Sequence, residues 1–402
     1  MKNLSVSIYI KKTLADNDKL RKKTYFIYIL LFIKKWVTQM SKILFTPGPT
    51  NVPEEIRQVL GQDLIHHRMA DYHQLLKEIN EDLKVVFDTN NDVLILTSSG
   101  TGSMESTIVN LFSTNDEVLV INTGWFGERF IEICQVYGLQ VHELRYEWGK
   151  TYNVVDVQEM LEKHPAIKGI FVTYHETATG VVNNLEQLGN LTKNTDRLLI
   201  ADCISGMIVQ QFHLDEWGVD CAVASSQKGF LLPPGLSFVA LSNKAKEAVE
   251  HSNIPKYYWD YRKYLNYFYN KAEQPFTPAI SIVVALQAAL RQLLAKGLPQ
   301  IIEDKQSIRK YAEDKFKELG FTLFIEDESI RGNVLVPVIV PKDIDGSKLT
   351  ALIDERYDFT VAGGMGIYAG RMLRVGIIGE ITEREIDLLI EYIKEVLPEC
   401  KK

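Results

Sequence analysis

Six short runs of this chain are almost unbroken apolar sequence: residues 93–97, 117–122, 169–173, 198–202, 221–225 and 237–241. Between most of them lie stretches with the amphipathic spacing of helices, such as 102–112 and 126–135. A strand that is apolar at nearly every position is buried on both faces. Strands of one sheet that are separated by helices run parallel, because the helix is the crossover. The pattern therefore predicts an α/β chain with a large, mostly parallel central sheet covered on both sides. Ligands of such sheets bind beyond the carboxyl ends of the strands. Three groups stand at or just past such ends: the turn Gly100-Thr101-Gly102, the carboxylate of Asp202, and Lys228.

The remainder of the chain reads differently. Residues 281–296 carry apolar positions on one helical face and stop at Gly297. A more charged helix over 298–320 leads into strands at 321–325, 334–340 and 372–377, with helices at 348–356 and 382–397. Thr382 and Glu385 have the spacing of a capping box. The expected organisation is a large domain over residues 40–297, with an N-terminal arm at 40–56, and a smaller C-terminal α+β domain over 298–402. No repeat or low-complexity stretch interrupts it.

A lysine, a strand-end aspartate and a glycine-rich turn opening a helix are what pyridoxal phosphate requires of a protein. The lysine amine forms the covalent link to the cofactor aldehyde and must have a lowered pKa to do so. The carboxylate keeps the pyridine nitrogen protonated, and backbone N–H groups at a helix N-terminus hold the phosphate. Singly these features are ordinary: a lone lysine is a solvated surface group, a strand-end aspartate a turn residue. Their combination in alternating strand–helix sequence points to the cofactor.

The residues Thr46-Pro-Gly-Pro-Thr-Asn-Val-Pro53, His67-Arg68, Ser98-Ser-Gly-Thr-Gly102, Gly124-Trp125-Phe-Gly127-Glu-Arg129, His175-Glu-Thr-Ala-Thr-Gly180, Ala201-Asp202-Cys-Ile-Ser205, Ser226-Gln227-Lys228 and Leu373-Arg374-Val-Gly376 occur in that order. From about residue 41 to the C-terminus the chain resembles the class V aminotransferases of the pyridoxal phosphate fold-type I superfamily, in the alanine–glyoxylate and serine–pyruvate branch. The resemblance implies Lys228 as the cofactor lysine and proton carrier, Asp202 on the pyridine nitrogen, and Trp125 flat against the ring. It places Thr177 on the phenolic oxygen, Gly100, Thr101, Gly102 and Gln227 on the phosphate, and Thr277 of a partner subunit at the same site. Thr277 also stands where it could cap the helix that follows Pro278; three residues before it the branch carries a tyrosine, and this chain has Gln274. Arg374, on an apolar strand, is the expected clamp for the substrate carboxylate, since a guanidinium binds a carboxylate through two parallel hydrogen bonds. Gly48 and Gly363-Gly364 are expected to form the pocket wall and to favour small donors. No chemistry is assigned to His175 or Glu176. The implied function is transfer of the amino group of alanine or serine to glyoxylate or pyruvate by a homodimer. The alternatives are a class V transaminase for 2-aminoethylphosphonate, ureidoglycine or aspartate, or a non-catalytic scaffold subunit of the same fold.

Composition narrows the rest. A formal net charge of −7 speaks against nucleic acid. Cys134, Cys203, Cys221 and Cys400 show no metal or disulfide spacing, which fits a cytoplasmic chain. No cysteine lies between Lys228 and Cys400, so the sulfur-acceptor loop of a cysteine desulfurase is missing. Residues 1–39 carry nine Lys or Arg against two Asp. Their apolar stretch, 25–33, is too short to span a bilayer, and no small-x-small cleavage pattern follows it. They read as an extension outside the family sequence, with a membrane-surface helix as the alternative.

Overall fold

The computed structural model describes residues 42–402, of which Leu44–Lys402 make one contact-rich unit. The readings of residues 1–39 lie outside the described residues. In chain order the strands are β1 (Ile43–Phe45), β2 (Asp92–Leu96), β3 (Glu117–Asn122), β4 (Gln140–Arg145), β5 (Ile167–Thr173), β6 (His175–Glu176) and β7 (Val181–Val182). They continue as β8 (Leu198–Asp202), β9 (Cys221–Ser225), β10 (Ser237–Leu241), β11 (Thr322–Leu323), β12 (Leu335–Ile339), β13 (Phe359–Gly363) and β14 (Met372–Gly376).

Seven strands form the central sheet in the order β2-β10-β9-β8-β5-β3-β4. β10 pairs antiparallel with β2 and β9, and all other pairs are parallel. Alternate residues feed two layers, as the period of two requires. Val93, Ile95, Leu199, Ala201, Ala222 and Ala224 join one core, with the helices Ala70–Phe87 and Ile280–Lys296. Leu94, Leu96, Leu198, Ile200, Cys221 and Val223 join the other, with the helices Gly100–Leu111 and Trp125–Val136. The mostly parallel, doubly covered sheet is the one the apolar runs predict.

Two differences have physical reasons. β4 was not visible as a strand because Gln140-Val-His-Glu-Leu-Arg145 is polar and only partly buried; it is the sheet edge, where an apolar run would invite pairing with another chain. The second sheet, β1-β13-β14-β12-β11, takes β1 from the N-terminal arm, and β11 is only two residues long where five were expected. Gly297, at φ +87°, separates the helices Ile280–Lys296 and Leu298–Glu318, which meet at 80°. Among the described residues no single helix is long and apolar enough to cross a membrane.

Candidate active site

Lys228 follows β9 by three residues, on a tight turn closed by Leu231 N–H to the Lys228 carbonyl at 2.9 Å. Its side chain turns inward, is 9% exposed, and donates from Nζ to the Pro47 carbonyl at 2.6 Å. The Thr46–Pro49 turn lies directly on the amine. A Cβ placed on Gly48, whose φ is +123°, would sit 2.3, 2.5 and 2.6 Å from Lys228 Cδ, Nζ and Cε. On its other side the turn touches β14, where a Cβ on Gly376 would come within 2.2 Å of the Thr46 carbonyl. The turn is thus wedged between the lysine and the strand that carries Arg374. Beneath the lysine, Gly229 packs against Met207 and Ile208. Ile208 and Leu231 both hold left-handed backbone, φ +77° and +56°, a strain that β-branched Ile208 adopts only where the surroundings enforce it.

Asp202 ends β8, is 3% exposed, and accepts from Ile204 N–H at 2.9 Å. Ile204 packs on Gly100, where a Cβ would meet its Cδ1 at 2.5 Å. The aspartate turn and the start of the helix Gly100–Leu111 are therefore in contact. That helix has no side-chain cap from Ser99. Gly102 and Ser103 N–H turn back to the Ser99 carbonyl, while Gly100 and Thr101 N–H have no acceptor among the described residues. Two free donors at the positive end of a helix dipole suit a phosphate. Gln227 accepts from Ser225 Oγ through its side-chain oxygen, which leaves its amide N–H₂ to donate elsewhere.

The charges are mutually dependent. Burial pushes the Lys228 ammonium down to about 8; Asp202 opposes this, and Arg374 and Arg129 add to it. Burial pushes the Asp202 carboxyl up to about 6, against the Ile204 N–H, Arg129 and Lys228. Burial also raises Glu176 to about 7 and lowers His175 to about 3.

Arg374 is held by backbone carbonyls alone: Nε donates to Gly363 O at 2.8 Å and Nη1 to Thr177 O at 3.1 Å. Among the described residues no carboxylate lies within ion-pair distance of it, an unusual state for a largely buried guanidinium. The Thr177 hydroxyl donates to Ser205 Oγ at 2.8 Å, and Ser205 donates to the His175 carbonyl at 3.0 Å. The buried His175 Nε2 has no partner.

Trp125 opens the helix that follows β3, at the end of the sheet where Asp202 ends β8. Trp125 is 40% exposed and lies beside Gly366 and Trp148. The neighbouring Phe126 lies under Arg129, whose guanidinium sits over its ring at 4.7 Å and donates to Thr101 Oγ1 at 3.3 Å. Sequence reasoning did not foresee this Phe126–Arg129 pair. Their i, i+3 spacing in the first helical turn was the available signal. It also missed Glu176, whose buried carboxylate accepts from Phe126 N–H at 3.0 Å and Gly127 N–H at 3.3 Å and so caps this helix from outside it. Thr277 is exposed and is not the helix cap; that position is Ala279, whose N–H bonds Thr97 Oγ1. Gln274 is buried and accepts from the Tyr72 hydroxyl.

These residues fit pyridoxal phosphate. A buried amine of lowered pKa, a buried carboxylate with no cation bonded to it, and two free N–H groups at a helix start match the aldehyde, the pyridine nitrogen and the phosphate. Comparison with known proteins agrees. The description "Aminotransferase class-V" matches residues 43–389. The chain is 34% identical over 364 residues to the small subunit of a soluble hydrogenase from Synechococcus sp. (strain PCC 6716), covering 90% of this chain and 94% of that protein. It is 33% identical to the L-aspartate–glyoxylate aminotransferase of Paracoccus denitrificans (strain Pd 1222), covering 85% and 87%. The crystal structure of an alanine–glyoxylate aminotransferase from Nostoc sp. superposes with a TM-score of 0.86 at 28% identity, covering 89% and 95%. The chain belongs to the class V aminotransferases, enzymes that depend on pyridoxal phosphate.

Proposed function

We propose that this aminotransferase takes the amino group from a small neutral amino acid, alanine or serine, and gives it to glyoxylate or pyruvate. The observation that carries the reading is Arg374: a buried guanidinium with backbone support and no carboxylate of its own. It is pre-placed for the carboxylate that every amino acid and oxo acid brings. The other nearby arginines are engaged. Arg68 is paired with Glu273 and bonded to the Gln274 carbonyl, and Arg129 is committed to Thr101 and Phe126. Among the described residues, neither of these two arginines is left free to select a second carboxylate.

When bound, the cofactor supplies an electron sink for the carbanion at the substrate Cα. The chain supplies the rest. Lys228, neutral at a readily reached pH, takes the proton from Cα and returns it. Asp202 accepts the hydrogen bond of the ring nitrogen; the new positive charge lowers its pKa, so the burial that disfavours ionisation in the empty pocket is offset. Gly100 and Thr101 N–H and the Gln227 amide would hold the phosphate, and Gly102 keeps the helix start close to Ser98 and Trp259. Trp125 would lie against the cofactor ring, as the family resemblance implies, with Phe126 held beneath Arg129 in the same helical turn. Thr177 joins the two halves, its hydroxyl toward Ser205 and the cofactor side, its carbonyl on Arg374.

The reading includes a homodimer in a reducing cytoplasm. Thr277 is exposed in a segment flanked by exposed Tyr257, Tyr258 and Tyr269, which suits a partner's surface, and the four cysteines are buried and unpaired. The aspartate donor named for the Paracoccus relative is the second reading. A donor panel with glyoxylate as acceptor decides between them. Alanine and serine should turn over with aspartate at least tenfold poorer; efficient aspartate with inert alanine and serine overturns the proposal. A purified chain with no cofactor absorbance, and none acquired on adding pyridoxal phosphate, would instead make it a scaffold.

A further inference from the structure

We propose that Glu117, His142 and His164 form a binding site for a divalent transition-metal ion of the zinc class, at the end of the central sheet away from the cofactor. Glu117 opens β3, and the far end of that strand, Asn122, leads into the helix that carries Phe126 and Arg129. Six strand residues put about 17 Å between the two ends. The register pairs Glu117 with Gln140 and Leu119 with His142, so residues 117, 119 and 142 share one face. That face is covered by Val157 and Leu161 of the helix Val154–Lys163, and His164 is the C-cap of the same helix. Three separate elements thus deliver one ligand each.

The side chains are already gathered. Their ligand atoms lie within 4.8 Å of one another and all three residues are half-buried. Glu117 Oε2 is 2.8 Å from His142 Nε2, and the two imidazoles face each other at 4.0 Å and 37°. Two imidazoles and a carboxylate are a common ligand set for zinc, with a water as fourth ligand. Metal–ligand bonds of about 2.1 Å place tetrahedral ligands about 3.4 Å apart, which side-chain rotation reaches from the present arrangement. A helix C-terminus carries negative partial charge, so the cation sits where the dipole favours it.

An ion pair between Glu117 and His142 explains only part of the cluster. It leaves the His164 ring with no hydrogen bond among the described residues, stacked on another imidazole. The comparison group Asp88, His213 and Glu216 differs: both His213 nitrogens are already taken, by Asp88 and Gln211, and both acids are exposed. An ion at the first group would clip the polar edge strand β4 to β3 and to the helix end, a structural clamp independent of transamination.

The test uses the full chain without an affinity tag, loaded with cofactor, freed of metal by chelator and titrated with Zn²⁺ in a calorimeter. One ion per protomer should bind, with a rise in Tm that chelator reverses. His164→Ala, and Glu117→Gln as the variant least able to disturb folding, should each weaken binding by at least the about 10–100-fold that loss of a mere supporting partner costs, while His213→Ala binds as before. No saturable binding, or binding that survives both variants and is lost with His213→Ala, overturns the site. Donor turnover is read in parallel; it should not depend on Zn²⁺, which separates failure of this proposal from failure of the aminotransferase reading.

Discussion

Replacing Gly48 by alanine tests how the lysine is held. The added Cβ would stand 2.3–2.6 Å from three Lys228 side-chain atoms, and the φ of +123° is one that an L side chain rarely adopts. Two costs follow, and they are separable. The lysine must swing aside and give up its 2.6 Å bond to Pro47. That bond is given up in the wild type too once the amine is linked to the cofactor. The cost to attachment is therefore that of forcing the linked side chain off its rotamer against the new Cβ, about 0.5–1.5 kcal/mol, and attachment should weaken by about 2–13-fold. The backbone strain, about 1–3 kcal/mol, falls on the fold itself and should lower Tm by a few degrees with or without cofactor. The assay is titration of the cofactor-free variant with pyridoxal phosphate, followed by absorbance and by borohydride trapping mapped to Lys228, beside thermal melts. Gly61→Ala is the control, because its Cβ would meet only carbonyl oxygens at 3.7 and 3.8 Å. Wild-type affinity and Tm in Gly48→Ala, or equal damage in Gly61→Ala, would show that the turn does not position the amine.

Three further outcomes are expected. Asp202→Asn should still bind cofactor but lose transamination by orders of magnitude, and turnover at the wild-type rate would make the carboxylate merely structural. Arg374→Lys should raise KM for every amino donor more than it changes cofactor affinity, since an ammonium cannot reproduce the two-pronged grip; an unchanged KM removes Arg374 from the substrate site. Attachment of the cofactor to the empty protein needs a neutral amine. With Lys228 pushed down to about 8, its rate should climb about tenfold per unit up to pH 8 and then level; an ordinary lysine would keep climbing past pH 10. A rate still rising at pH 10 refutes the burial argument.

How much of this could be read from the residues depends on how local the cause is. β8 and β9 were legible because strands buried on both faces need apolar side chains at nearly every position, and runs of about five residues are too short for a buried helix. Asp202 and Lys228 followed from where those strands end, and Gly100 from where β2 ends. β4 was not legible, since an edge strand carries no such demand. Arg374 was legible as a cation on an apolar strand, but its being held by backbone carbonyls rather than by an ion pair was not, for that depends on Gly363 and Thr177 approaching from elsewhere in the chain.

The start of the helix Trp125–Val136 shows where sequence reasoning stops. Successive residues of a helix point 100° apart, so which of two adjacent aromatics faces a site is decided by the phase in which the helix begins. Here the helix starts at Trp125 with Gly124 as its cap, and the capping group comes from Glu176, about fifty residues away. Gly124 has to be glycine for that carboxylate to approach, because a Cβ there would lie 2.5 Å from Glu176 Cγ. Nothing near Trp125 encodes this contact. Glu176 therefore fixes where this helix begins, and with it the directions in which Trp125, Phe126 and Arg129 leave its first turn.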